Sequence, residues 1–197
     1  VIDRQTAAFY RDRGDEWAAA LPGGWSARLD RFLDRLPPGA QVLELGCGDG
    51  RDAMRMIERG FSAHPTDGVA EMAAMAAIRL GRPVRVMAFD ELDAACAFDA
   101  VWANASLLHV PLAELAPVIA RIADALKPGG QLGASFKAGQ GGGRDGHGRF
   151  YNYLSRAELL ATCEADARWR HIEIEETMGG SFGGKRIPWL NLLATRR

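Results

Sequence analysis

Glu44 and the three glycines that follow it, Gly46, Gly48 and Gly50, carry the clearest chemistry in the run Gln41 to Gly50, QVLELGCGDG. Glycines at alternating positions tolerate positive φ and let the backbone approach a ligand closely, while a helix starting near Arg51 would aim its free N–H groups at the same point. Two phosphate-binding patterns are disfavoured by spacing. A dinucleotide turn needs G-x-G-x-x-G, but the residue three after Gly48 is Arg51. A Walker A loop needs Lys followed by Ser or Thr, and no such pair occurs in the chain. An acid just before the glycines would repel a pyrophosphate, and it suits a ligand with an ammonium or sulfonium charge.

Asp67 closes the second strand-like segment, 17 residues beyond Gly50. That is the place of the acid that accepts from ribose hydroxyls in Rossmann-like sites, although Asp is also a favoured helix N-cap. After a third strand, Phe89 offers an apolar face or a backbone N–H to a base, and Asp90 a carboxylate; equally, Phe89 suits a core and Asp90 a solvated loop. A fourth strand delivers Asn104, Ala105 and Ser106 to the carboxyl edge of a sheet, followed by His109. An imidazole has the pKa to take a proton from an acceptor near neutral pH, but a histidine before Pro111 also suits packing or capping.

The motif ELGCGDG resembles the first motif of class I S-adenosylmethionine-dependent methyltransferases, [DE]-x-G-x-G-x-G. The stretches FDAVWANASLLHVP (Phe98 to Pro111), LKPGG (Leu126 to Gly130) and SFKAG (Ser135 to Gly139) extend the likeness to small bacterial methyltransferases of the tellurite-resistance and ubiquinone-biosynthesis type. The resemblance implies S-adenosyl-L-methionine as methyl donor and S-adenosyl-L-homocysteine as product. It implies a cofactor site built from Glu44, Gly46, Cys47, Gly48, Gly50, Asp67, Gly68, Phe89, Asp90, Asn104 and Ala105, with Tyr10 as an N-terminal tyrosine that closes over the cofactor. Gly68 stands where relatives carry an aromatic or aliphatic cover for adenine, and Ala88 aligns with their adenine acid, so Asp90 is the nearest substitute.

For the acceptor, His109, Lys137, Arg149 and Tyr151 are the candidates, with Arg144 and His147 in the same segment, GQGGGRDGHGRFYNY. Converging on a crevice, these cations and rings would suit an anionic or aromatic small molecule. As a solvated loop, the arginines would instead pair with Asp145 and Tyr151 would pack on the core. Trp189 and Asn191 read as structural. Methyl transfer needs little from side chains beyond positioning and water exclusion, so the absence of a clear catalytic dyad does not argue against an enzyme. His109 is the candidate base. The competing functions are an NAD(P)-dependent oxidoreductase, which Glu44 and the glycine spacing disfavour, and a cofactor-binding domain without catalysis.

The elements that must position these residues follow the βα alternation of a parallel doubly wound sheet. Apolar runs predict seven strands near 41–45, 61–66, 84–88, 98–104, 131–136, 170–177 and 189–195. The family fold makes the sheet mostly parallel with its last strand antiparallel and helices on both faces. Helices are predicted over 51–59, 69–80, 112–126 and 155–164, the last with a Ser155 cap followed three residues later by Glu158. Two more, about 4–20 and 26–36, end at Pro37-Pro38-Gly39. Residues 1–38 are thus expected to cap a Rossmann-like core at 39–197, within one domain. Gly139–Gly148 and Gly179–Gly184 read as flexible loops.

The chain's 197 residues, 48% apolar and 25% charged, allow one α/β domain with a sizeable core. A net charge of -1 gives no footprint for nucleic acid, and no apolar run is long enough to span a membrane. Three scattered cysteines suggest neither a disulfide framework nor a metal site. No secretory signal is visible, so a cytoplasmic monomer or homodimer is expected.

Overall fold

The computed structural model describes residues 3–21, 27–182 and 184–197. Its elements in chain order are α1 (Arg4–Ala20), α2 (Ala27–Leu33), β1 (Gln41–Leu45), α3 (Arg51–Glu58), β2 (Ser62–Asp67), α4 (Ala70–Leu80), β3 (Arg85–Val86) and β4 (Phe98–Ala103). There follow α5 (Leu112–Ala125), β5 (Leu126–Ala138), β6 (Gly142–Arg144), β7 (Phe150–Leu154), α6 (Arg156–Glu164), β8 (Trp169–Gly180) and β9 (Arg186–Arg196). Short 3-10 turns cover Phe89–Glu91 and Leu107–His109.

β3, β2, β1, β4 and β5 lie side by side in parallel. β9 then pairs antiparallel with β5, and β8 antiparallel with β9. Nine strands are described where seven are expected. The additional pair is the antiparallel hairpin β6–β7, whose first strand and turn fall in Gly139–Gly148, read as a flexible loop, and β7 joins the far end of β5 in parallel at Lys137 and Ala138. Because β9 already occupies one side of Lys137, β7 takes the side that β4 vacates beyond Ala103.

Alternation along the central strands separates two cores, one on each face of the sheet. Val42, Ala100 and Trp102 pack with Leu29, Phe32 and Leu33 of α2 and with Ala53 and Met56 of α3. Their sequence neighbours Leu43, Leu45, Val101 and Ala103 pack with Leu115, Ile119 and Ile122 of α5 and Leu159 of α6. Helices therefore cover both faces, as the buried parallel strands require. α6 starts with the expected capping box, Ser155 accepting from Glu158 N–H and Glu158 accepting from Ser155 N–H. α2 is shorter than predicted, and Ser26 lies outside the described residues.

The same alternation fixes which side chains meet at the carboxyl edge. Leu132, Ala134 and Phe136 belong to the α5 face, so Ser135 and Lys137 fall on the opposite one. Glu44 shares that face with Val42, and Asn104, just past β4, with Trp102. A row of polar groups thus runs across three adjacent parallel strands at the edge where ligands of open α/β sheets bind.

Candidate active site

The turn from β1 into α3 is built by glycines that no other residue could replace without displacement. Gly46 has φ +74, and a Cβ there would stand 2.5 Å from the Ser106 Cβ. Gly48 has φ +57, and its Cβ would press on the Trp17 ring of α1 at 3.0 Å. The turn is pinned to β2: Gly46 N–H and Cys47 N–H both donate to the Thr66 carbonyl, each at 2.9 Å. Asp67 accepts from Gly48 N–H at 3.0 Å and from Val69 N–H at 2.9 Å. Its carboxylate therefore ties the loop to the start of α4 by an Asx-type contact. The carboxylate keeps acceptor capacity for a further donor.

Four acids crowd this end. Glu44, Asp49, Asp52 and Asp67 are all buried. Asp49 is neutralised by Arg51 at 2.7 Å and Arg79 at 2.8 Å, and Asp52 accepts from Trp102 Nε1 at 2.8 Å. Glu44 accepts from the Ala53 backbone N–H, yet its Oε2 has no partner among the described residues. Burial, then the charges of Asp52, Asp67 and Asp49, raise the Glu44 carboxyl well above the usual carboxylate range. Burial likewise pushes Asp67 up to about 6 against the pull of the backbone donors at Val69, Gly48 and Gly68. A cationic ligand carrying hydroxyls would relieve this strain, because it would supply both the missing donor and the opposing charge.

These groups open onto one cavity of about 870 Å³ that continues to the far side of β5. The acceptor candidates converge on it. His109 Nδ1 lies 2.6 Å from the Phe150 carbonyl, which can only accept, so Nδ1 carries the proton. Nε2 then accepts the Tyr10 hydroxyl proton at 3.1 Å. Burial, with the cations Arg149 and Lys137 nearby, holds His109 down to about 4, and the ring is neutral at ordinary pH. Burial raises the Tyr10 phenol. Arg149 pairs with Asp145 at 2.7 Å while its guanidinium lies over the rings of Phe9, Tyr10, Tyr151 and Phe182. Both alternatives for Arg149 thus hold together: it pairs within its hairpin and it lines the cavity.

Glu44, Gly46, Cys47, Gly48, Asp67, Gly68, Phe89, Asn104, Ala105, Tyr10, His109, Lys137, Arg149 and Tyr151 all line the cavity. Two predicted cofactor residues do not. Asp90 is exposed, because the 3-10 turn that directs Phe89 inward carries its neighbour outward. Gly50, at φ +79, turns the chain into α3, and a Cβ added there would point at the Ala76 Cβ, 3.0 Å away, rather than into the cavity. Arg144 and His147 are also absent from the lining; Arg144 pairs with Asp3 at 2.8 Å, and the His147 ring packs against Phe9 and Phe182.

Some lining residues had no predicted role. Trp17 and Met72 border the glycine turn, and Ser135 holds both Ala105 N–H, at 2.8 Å, and the Asn104 carboxamide, at 2.9 Å. Trp189 and Asn191, read as structural, line the wall formed by β5 and β9. The alternation SFK in β5 signals Ser135 and Lys137 on one face; nothing local to Trp189 or Asn191 signals theirs, since it depends on register with β5.

A glycine turn after the first of the parallel strands, an orphaned carboxylate before it and a second carboxylate at the next strand's end define a nucleoside-binding site for a cation, with room beyond it for a second molecule. Residues 42–130 match the methyltransferase domain family. Ubiquinone biosynthesis O-methyltransferases of Xylella fastidiosa and Xanthomonas axonopodis pv. citri are 28% and 32% identical over 153 and 149 residues, 67% and 65% of this chain. The chain spans 61% and 62% of their lengths. Among solved structures, the Burkholderia thailandensis 1,6-didemethyltoxoflavin-N1-methyltransferase, with 1,6-didemethyltoxoflavin and S-adenosylhomocysteine bound, is 28% identical with a TM-score of 0.73. That match covers 96% of this chain and 84% of the other. The chain thus shares the domain and the fold of class I S-adenosylmethionine-dependent methyltransferases.

The donor set fits that cofactor. Glu44 Oε2, without a partner, suits the ammonium of the methionine part, Asp67 suits the ribose hydroxyls, and Phe89 and Val69 offer apolar contact to the base. Among the described residues no helix is long and apolar enough to cross a membrane.

Proposed function

We propose that this protein transfers a methyl group from S-adenosylmethionine to a small-molecule acceptor that enters beside Tyr10, His109 and Lys137. The observation that carries this reading is the continuity of one cavity from the Glu44–Asp67 end to the Tyr10–His109 pair. The bound cofactor supplies an electrophilic methyl on a sulfonium centre, so the protein's own work is to bind, align and dry the two reactants. Trp17 against Gly48 and Tyr10 against His109 bring α1 over the cavity, where it excludes water.

An acceptor hydroxyl or ammonium must shed a proton as it attacks. The neutral Nε2 of His109 receives it, either directly or by relay as the Tyr10 hydroxyl passes its own proton inward. An acceptor that is already an anion needs neither group. The relatives' names, with a quinone precursor pathway on one side and a heteroaromatic ligand on the other, favour a planar acceptor, and the rings of Tyr151, Phe182 and Trp189 along the cavity support it. We further propose one working unit, with residues 1–38 capping a core at 39–197, acting in the cytoplasm as a monomer or homodimer and without nucleic acid.

Calorimetry with S-adenosylhomocysteine and with NAD tests the cofactor. Micromolar binding of the homocysteine nucleoside and none of NAD is expected; the reverse result overturns the reading. Release of S-adenosylhomocysteine during a screen of phenols, heteroaromatic N–H compounds and thiols then identifies the acceptor.

A further inference from the structure

Lys137 is a buried cation with no ion-pair partner among the described residues. Its side chain is 8% exposed, and its Nζ lies 3.4 Å from the centroid of the Tyr151 ring. Among the described residues it makes no hydrogen bond and no ion pair. The carboxylate whose charge reaches it, Asp145, is taken up by two nitrogens of Arg149 at 2.9 and 2.7 Å. An aromatic face offsets only part of the cost of removing an ammonium from water, so a group of opposite charge at this point would be strongly favoured.

The position of Lys137 separates this charge from the cofactor end. β5 lies two strands from β1, about 10 Å at about 4.8 Å per strand, and Lys137 is four residues beyond Gly133, which Trp102 puts level with Glu44, so the two charges stand roughly 16 Å apart. Two rings flank it: Tyr151 under the Nζ, and Trp189 as the register partner of Lys137 on β9. Asn191, two residues on, has an Oδ1 with no partner among the described residues, while its Nδ2 donates to Thr177 Oγ1 at 2.8 Å.

We propose that Lys137 selects the acceptor, which is a planar aromatic or heteroaromatic acid whose carboxylate or ionised oxygen docks on Nζ over the Tyr151 ring. The inference rests on the methyl-transfer reading and names the substrate class of that site. Lys137 takes no part in bond making; it fixes which molecules are held for transfer.

The charged and titratable groups around Lys137 are Arg149 and Asp145 of the hairpin, Tyr151 of β7, and His109. Burial, followed by the charge of Arg149, holds the Lys137 ammonium down to about 8. Anion affinity should therefore fall as pH rises through 8 in the natural protein. It should not fall in Lys137→Arg, whose guanidinium stays charged.

The test uses protein saturated with S-adenosylhomocysteine and titrated with 4-hydroxybenzoate and with 4-hydroxybenzamide, which differ in charge but hardly in shape. Natural protein should prefer the benzoate roughly tenfold, the discrimination of one charge-assisted hydrogen bond. Lys137→Met should lose that preference and keep its affinity for S-adenosylhomocysteine, and Lys137→Arg should retain both. Absent or equal binding of the two probes by the natural protein overturns the proposal, as does a preference that survives in Lys137→Met. A tenfold loss of S-adenosylhomocysteine affinity in Lys137→Met would mean that the lysine serves the cofactor's own carboxylate, and also overturns it. Failure of the natural protein to bind S-adenosylhomocysteine is a separate result that overturns the methyl-transfer reading, and this proposal with it.

Discussion

Replacing His109 by Gln should change how stability depends on pH, by an amount the structure sets. In the folded protein His109 takes up a proton only near pH 4, against 6.5 for the ordinary side chain. A lowered histidine pKa favours the folded state while the ring is neutral. The contribution is complete above 6.5 and is lost as pH falls towards 4, because the unfolded chain is protonated first. Between about pH 8 and about pH 5 the loss is about 2 kcal/mol. Asp67 acts in the opposite direction over the same interval. Its carboxyl is raised to about 6 from 3.8, so its cost to the fold is greatest when ionised, and stability is regained as pH falls through 6. That gain is about 1.4 kcal/mol, and it nearly hides the histidine in the natural protein's own curve.

The difference between natural protein and His109→Gln removes the shared Asp67 contribution. At about pH 8 the variant should be destabilised by about 1 to 3 kcal/mol, since one glutamine amide cannot serve both the Tyr10 hydroxyl and the buried Phe150 carbonyl that the two ring nitrogens satisfy. At about pH 5 that deficit should shrink by about 2 kcal/mol, because glutamine does not titrate. Urea unfolding at the two pH values, followed by fluorescence and extrapolated to water, measures both numbers. A deficit that is the same at both pH values to within about 0.5 kcal/mol would refute a neutral buried imidazole at this position, and with it the proton acceptor assigned to Nε2.

Three further outcomes follow from the site. Gly46→Ala places a Cβ 2.5 Å from Ser106 at φ +74, whereas Gly39→Ala at φ +73 meets nothing within 4 Å; the first should lose about 2 kcal/mol more stability than the second in paired urea melts. Asp67→Ala removes the acceptor for Gly48 and Val69 N–H and should weaken S-adenosylhomocysteine binding by roughly tenfold or more, read by calorimetry. Tyr10→Phe keeps the ring packed against Trp17 and His109 but removes the hydroxyl; kcat on a phenol acceptor should fall roughly 100-fold or more near pH 7 and recover as pH is raised to ionise the phenol, while a thiolate acceptor is spared.

The donor half of the cavity is legible in the sequence because its parts are local. β1, the glycine turn and the end of β2 lie within residues 41–67, and each announces itself by an apolar run, a glycine spacing or an acid at a strand end. Asp90 failed for a local reason too: a three-residue turn decides whether Phe89 or its neighbour faces inward, and a single sequence does not reveal the phase of that turn. The acceptor half is assembled from distant pieces. The hairpin β6–β7 contains glycines that weaken strands, and GQGGGRDGHGRFYNY reads as coil. It is held by Phe150 N–H donating to Thr6 Oγ1, by Arg144 on Asp3 and by Arg149 over Phe9, all contacts with α1 more than 130 residues earlier in the chain. Trp189 and Asn191 become part of a wall only because β9 runs antiparallel to β5 in a register that sets them beside Lys137 and Ser135. One consequence is functional. Substitutions in the hairpin or β9 can reshape the acceptor wall without touching the glycine turn, so the acceptor can diverge while Glu44, the glycines and Asp67 stay the same.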